Sequence, residues 1–171
     1  MKKSFAAALF AAFVTATIAQ AADNLSSTEL LKSELSEVGP EIFTSPDFKS
    51  GTVRHIVLFR YRDGTTDEQR EEIRQRFTAL ATQAKRDGEP YIVSIETGKQ
   101  SSGEGVDGGF EEAFVVTFRS EGDRNYYVGT PVVEDAAFYD PEHQKFKEFV
   151  GPFLAEKGVL VFDFTVAGDT Q

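Results

Sequence analysis

The 171-residue chain contains no cysteine and no tryptophan, and only one methionine and two histidines. Without cysteine there is no disulfide framework, no thiolate nucleophile and no thiolate-ligated metal, so stability has to come from packing and association. With only His55 and His143, a two-imidazole metal site needs a carboxylate such as Asp163 or Glu142. No ligand spacing supports one, and neither a metal nor a cofactor is expected. No serine lies in a G-x-S-x-G context, which removes the usual esterase elbow. Basic residues are also scarce: 18 Lys and Arg against 28 Asp and Glu give a formal charge of −10. Such a surface excludes nucleic acid and electrostatic binding to anionic lipid, because both partners demand cations.

Long apolar runs are missing except at the start. Lys2 and Lys3 precede the uncharged stretch Phe5–Ile18, and Ala19-Gln20-Ala21 is a small-x-small cleavage site. These features predict a secretory signal peptide over residues 1–21; the run is shorter than the ~20 residues a membrane anchor needs. The mature chain is expected to start near Ala22 and to be periplasmic or secreted, with no membrane attachment after cleavage. Losing two lysines and no acids takes the charge from −10 to −12.

What is abundant is phenylalanine, sixteen in all, within a hydrophobic fraction of 40%. The most strand-like run is Val53–Asp63. Val53, His55, Val57, Phe59 and Tyr61 share one face, while Arg54, Ile56, Leu58, Arg60 and Arg62 share the other. Both faces are partly apolar, which predicts a central strand covered on both sides. Before it, residues 22–51 read as an arm and linker, with a helix from Ser26 or Ser27 to Val38 stopped by Gly39-Pro40. After it, Thr66 and Gln69 form a capping box that opens an amphipathic helix over Asp67–Lys85. Strands are expected at Tyr91–Thr97, Phe110–Arg119 and Val159–Val166, and a short helix at Ser120–Tyr127. A second long helix starts at Asp140-Pro141, is kinked at Pro152 and stops at Gly158.

Gly98–Gly109 contains Gly103-Glu104-Gly105-Val106-Asp107-Gly108, which has the spacing of a dinucleotide site. A pyrophosphate there needs a helix N-terminus straight after the glycines, and a strand follows instead. The two acids inside the loop also repel phosphate, so the segment is read as a hairpin loop. The element order gives an α+β fold of ferredoxin-like βαββαβ type, a four-stranded antiparallel sheet with helices on one face. The uncovered sheet face, to which Val53, Val57 and Phe59 are assigned, is expected to be closed by an identical subunit.

V-R-H-I-V-L-F-R-Y at 53–61, F-V-V-T-F at 114–118, D-P-E-H-Q-K-F at 140–146 and V-L-V-F-D-F at 159–164 resemble the stress-responsive α/β-barrel (Dabb) domains of the dimeric α/β-barrel superfamily. The resemblance spans about residues 52–167 and implies a homodimeric barrel, but no single function. One plant branch resembles polyketide cyclases, in which the second histidine of an H-P-x-H sequence, an upstream tyrosine and a first-strand histidine serve the pocket. Those positions match His143, either Tyr126 or Tyr127, and His55; Asp140 stands in place of the first histidine of the pair.

His143, in the first turn of a helix, is either a neutral general base or a local hydrogen-bonding residue. His55, together with Val57 and Phe59, either lines a pocket or is a satisfied buried histidine. Three functions follow: a homodimeric barrel that binds a small apolar or aromatic ligand in a Phe-lined cavity; a cofactor-free lyase, cyclase or isomerase using His143 with Tyr127 or Tyr126; and a structural stress-associated protein with a filled core.

Overall fold

Residues 25–168 are described by the computed structural model of the chain, so the expected signal segment lies outside the described residues. Helix α1, Ser27–Val38, opens on a capping box between Ser26 and Glu29 and ends at Gly39; a single helical turn, Pro40–Phe43, follows. Strand β1, Ser50–Tyr61, is the centre of the sheet. Helix α2, Asp67–Gln83, begins on the Thr66–Gln69 capping box read from the sequence. Strands β2, Ser94–Lys99, and β3, Glu112–Ser120, form the hairpin. Helix α3, Glu121–Val128, follows directly, capped by Ser120; helix α4, Pro141–Val150, is capped by Asp140, and β4, Leu154–Thr165, closes the sheet. All pairings are antiparallel in the order β2-β3-β1-β4, which is the ferredoxin-like arrangement. No helix among the described residues is long and apolar enough to cross a membrane.

Several boundaries differ from the sequence reading, most of all at the second strand and between the last helix and the last strand, which begins at Leu154 and not at Val159. The second strand starts at Ser94, because Lys85-Arg86 pairs with Glu89-Pro90 in a small separate ladder and Tyr91 and Ile92 turn into the core. The last helix stops at Val150, not Gly158. Pro152 lacks the N–H that would continue it, Gly151–Phe153 forms a 3-10 turn, and the strand begins at once. Gly158 then sits inside β4, where a Cβ would lie 2.5 Å from the Arg60 carbonyl oxygen. It permits the ladder irregularity between Phe59 and Tyr61.

The assignment of faces is also corrected. Val53, Val57, Phe59 and Tyr61 are buried beneath the protein's own helices: the Phe59 ring lies 6.1 Å from Phe77 of α2 and 5.2 Å from Phe114 of β3, and Phe77 meets Phe146 of α4 at 5.0 Å. The helix-free face carries Ile56 and Leu58, with Phe162 and Leu160 as their β4 partners and Val115 and Ala113 as their β3 partners. Both faces of β1 carry apolar residues, so period-two alternation finds the strand but not which face the helices choose.

The segment after α1 is a packed part of the fold. Phe43 is buried, its carbonyl accepts from Asn125 Nδ2 at 2.9 Å, and the Phe48 carbonyl accepts from the Gly122 N–H at 3.0 Å. A Cβ on Gly122 would stand 1.8 Å from the Ser45 carbonyl oxygen. Gly122→Ala therefore forces backbone apart and is expected to cost about 1–3 kcal/mol, as overpacking does. Thermal unfolding should show a lowered melting temperature; an unchanged one would mean that the arm does not rest on α3.

Candidate functional site

His55 comes from the middle of β1 and faces Asp163, its partner residue on β4. His55 Nδ1 and Asp163 Oδ1 are 2.7 Å apart, and Arg124 of α3 donates to the other Asp163 oxygen at 2.7 Å. Burial by itself would raise the Asp163 carboxyl, but the hydrogen bonds and charges of His55 and Arg124 hold it below the usual range. Asp163 is therefore ionised at neutral pH and fixes the His55 ring. The charges continue outward: Arg124 lies 3.8 Å from Glu121, Glu121 lies 3.5 Å from Lys49, and Lys49 pairs with Glu34 of α1.

His143, in the first turn of α4, donates its backbone N–H to Asp140 Oδ1 at 3.2 Å. Its Nδ1 lies 2.6 Å from the carbonyl oxygen of Tyr127. A carbonyl only accepts, so Nδ1 carries the hydrogen and the neutral ring presents a bare Nε2. Burial, and after it the Lys147 cation, lower the His143 pKa to about 3. Desolvation therefore keeps the ring neutral.

The two histidines line one open cavity of about 1180 Å³. Its walls are the helix-facing side of β1 and β4 with Val57, Phe59 and Val161, helix α4 with Phe146 and Val150, Phe77 of α2, and the Leu30–Leu31 face of α1. Tyr127 lies against both histidines: its ring stacks on His143 with centroids 3.7 Å apart and meets His55 edge-on at 5.6 Å. Its hydroxyl is buried without a hydrogen-bond partner, and burial pushes that phenol well up. Tyr126 points elsewhere, against Tyr91 at 5.3 Å and under the Arg86 guanidinium at 4.3 Å. Asp140 is structural: Oδ1 caps α4 through Glu142 and His143, and Oδ2 accepts from the Tyr91 hydroxyl.

The sequence named Asp163 only as a conceivable metal ligand, and its bond to His55 was missed. The signal was an acid in mid-strand, which is rare unless paired. Arg124, Lys147 and the α1 wall carried no local signal, since only the tertiary fold brings them to the cavity. Among the described residues no group of three His, Asp or Glu is placed to hold a metal ion.

The sequence profile of the stress responsive A/B barrel domain matches residues 53–166. No curated protein matches the chain. Among solved structures, hydroxynitrile lyase from Passiflora edulis is similar at 22% identity with a TM-score of 0.55, over 70% of this chain and 96% of its own. A protein of Arabidopsis thaliana is similar at 23% identity and a TM-score of 0.53, over 68% and 96%. A dimeric ferredoxin-like protein of unknown function from a Jannaschia species is similar at 18% identity and 0.53, over 68% and 100%. At these identities the likeness is one of fold.

Because the folded His143 pKa lies below the 6.5 of a free imidazole, the unfolded chain takes the proton first. The contribution of this group to stability is full above about pH 6.5 and is lost as pH falls from there towards 3. Histidine NMR is expected to show His143 neutral throughout pH 5–8; titration inside that range would contradict the buried Nδ1–H arrangement.

Proposed function

We propose a function on this premise: the chain belongs to the stress responsive A/B barrel domain family. The protein binds a small, largely apolar or aromatic molecule in the cavity beneath its helices, and His143 takes a proton from that molecule without a cofactor. The observation that carries this reading is the fixed tautomer of His143. Its Nδ1 is engaged by the Tyr127 carbonyl, the ring is held neutral, and the residue lines the cavity. A base with a low pKa is a weak one, so its strength rests on the ligand displacing water and on stabilisation of the negative charge that forms. His55, held by Asp163, is the second proton-handling group of the same cavity, on the β1 wall. A cavity of this size also favours a ligand over a filled structural core.

Binding without chemistry is the second reading. It is supported by the hydroxyl of Tyr127, one of the two tyrosines expected from the sequence to act with His143; this hydroxyl lies buried and unpartnered instead of hydrogen-bonded to either histidine. His143→Gln separates the two readings. It is expected to leave binding of apolar probes such as benzyl alcohol within a few-fold and to lower turnover of any accepted substrate by about 10²-fold or more, the scale of general-base catalysis. Unchanged turnover would leave a binding protein.

The working form proposed is a homodimer, exported as a mature chain from near Ala22. The helix-free sheet face supports the dimer: Leu160, Phe162 and Phe164 are 41%, 59% and 42% exposed beside Ile56 and Leu58, an apolar row that a second sheet would cover. Leu160→Lys should yield a folded monomer, because this side chain is outside the subunit's own core, whereas the unaltered protein should run as a dimer in native mass spectrometry. A stable Leu160→Lys dimer would place the interface elsewhere, and the same spectrum gives the mature mass; retention of Met1–Ala21 in a soluble cytoplasmic form would refute export.

A further inference from the structure

The cavity is lined by three fixed cations, Lys49, Arg124 and Lys147. Lys49 is paired with Glu34 and Glu121, and Arg124 with Asp163 and Glu121. Lys147 has no carboxylate within ion-pairing distance among the described residues. Its Nζ donates to the carbonyls of Val128 and Thr130, at 3.0 and 3.3 Å, and to Thr130 Oγ1 at 3.2 Å. All three acceptors are neutral. The neighbouring Glu148 is exposed and accepts from Gln144. The bonds to Val128 and Thr130 satisfy carbonyls at the end of α3, which accounts for the position of the ammonium. They do not neutralise a charge that is half withdrawn from water, and burial accordingly lowers the Lys147 pKa.

Lys147 and His143 are four residues apart on α4, hence on one face of the helix, and both line the cavity. The remainder of that wall is apolar, with Phe146 and Val150 on the same helix and Phe59 opposite. We propose that Lys147 is an anion-binding residue of the cavity and that the ligand is a small aromatic or apolar carboxylic acid, bound with its carboxylate on Lys147 and its apolar body against Phe59 and Phe146. The carboxylate would replace Thr130 Oγ1 as the third acceptor of Nζ; a charge-assisted hydrogen bond in a partly desolvated site is stronger than a neutral one, and the ligand's charge would be the counter-ion that the fold omits. This inference rests on the cavity-binding reading above and narrows it to a chemical class. The carboxylate would lie beside the neutral His143 without having to displace a paired acid.

The test uses the full mature chain at pH 7 with two probes of similar size, benzoate and the neutral benzyl alcohol, followed by NMR shifts of cavity residues. Benzoate is expected to bind at least ten-fold tighter than benzyl alcohol. Lys147→Gln, which keeps a donor for the α3 carbonyls, should abolish that preference without changing the benzyl alcohol affinity, and Lys147→Arg should retain it. Thermal unfolding of each variant verifies that it is folded. Equal affinity for the two probes, or a benzoate preference that survives in folded Lys147→Gln, overturns the inference while leaving the cavity reading intact, and shows Lys147 to be only the cap of α3. If neither probe perturbs cavity residues, both readings fall together.

Discussion

The constraint on which the molecule depends is that β1 must be covered on both faces while it is hydrogen-bonded along both edges. Its ladders to β3 and β4 use the backbone groups of both edges, leaving the side chains to decide what lies above and below. One face is closed by α2 and α4 through Phe59, Phe77 and Phe146; the stack of Phe77 on Phe114, centroids 4.0 Å apart, fixes α2 over β3. Aromatic contacts of this kind hold orientation as well as area. Glu112, buried beneath α2, enters this layer with partners: it accepts from Tyr61 at 2.7 Å and pairs with Arg74.

The site arises where that layer stops short. Toward β4 the helices no longer reach the sheet, and Val159 and Val161 on the helix-facing side remain exposed. The gap is the cavity, and the arm helix α1, whose sequence lies before the family domain, supplies its outer wall. The two histidines in it are held in different ways. An ionised carboxylate orients His55, whereas a neutral carbonyl and deep burial fix His143. The same residue type is thus held in two different environments, one ring beside an anion and one ring kept uncharged.

A chain of charges joins the arm to the interior of the site, from Glu34 through Lys49, Glu121 and Arg124 to Asp163. The surface pairs at its outer end contribute little alone. At its inner end the partly buried carboxylate of Asp163 is held by both its partners, so the geometry of His55 is tied to α3. The close contact of Gly122 with Ser45 brings the arm to the start of that same helix. The cap of α4 serves the site in a similar way: Asp140 satisfies the first turn and the Tyr91 hydroxyl together, which sets the height of His143 over Tyr127.

The sequence by itself determined the element order, the Thr66–Gln69 capping box, the Asp140-Pro141 helix start and the strand that became β1, because caps and period-two alternation are local properties of the chain. It also marked His55, Val57, Phe59 and His143 as residues of interest, and the fold brings all four to one cavity. Which face of β1 the helices cover, and hence that Val57 and Phe59 lie inside the subunit, was decided only by tertiary packing, since both faces were apolar enough to be buried. The pairing of His55 with Asp163 spans 108 residues and depends on ladder register. The isolation of Lys147 depends on which acids the fold brings near it. Such relations follow from where separate elements meet, and no local spacing encodes them.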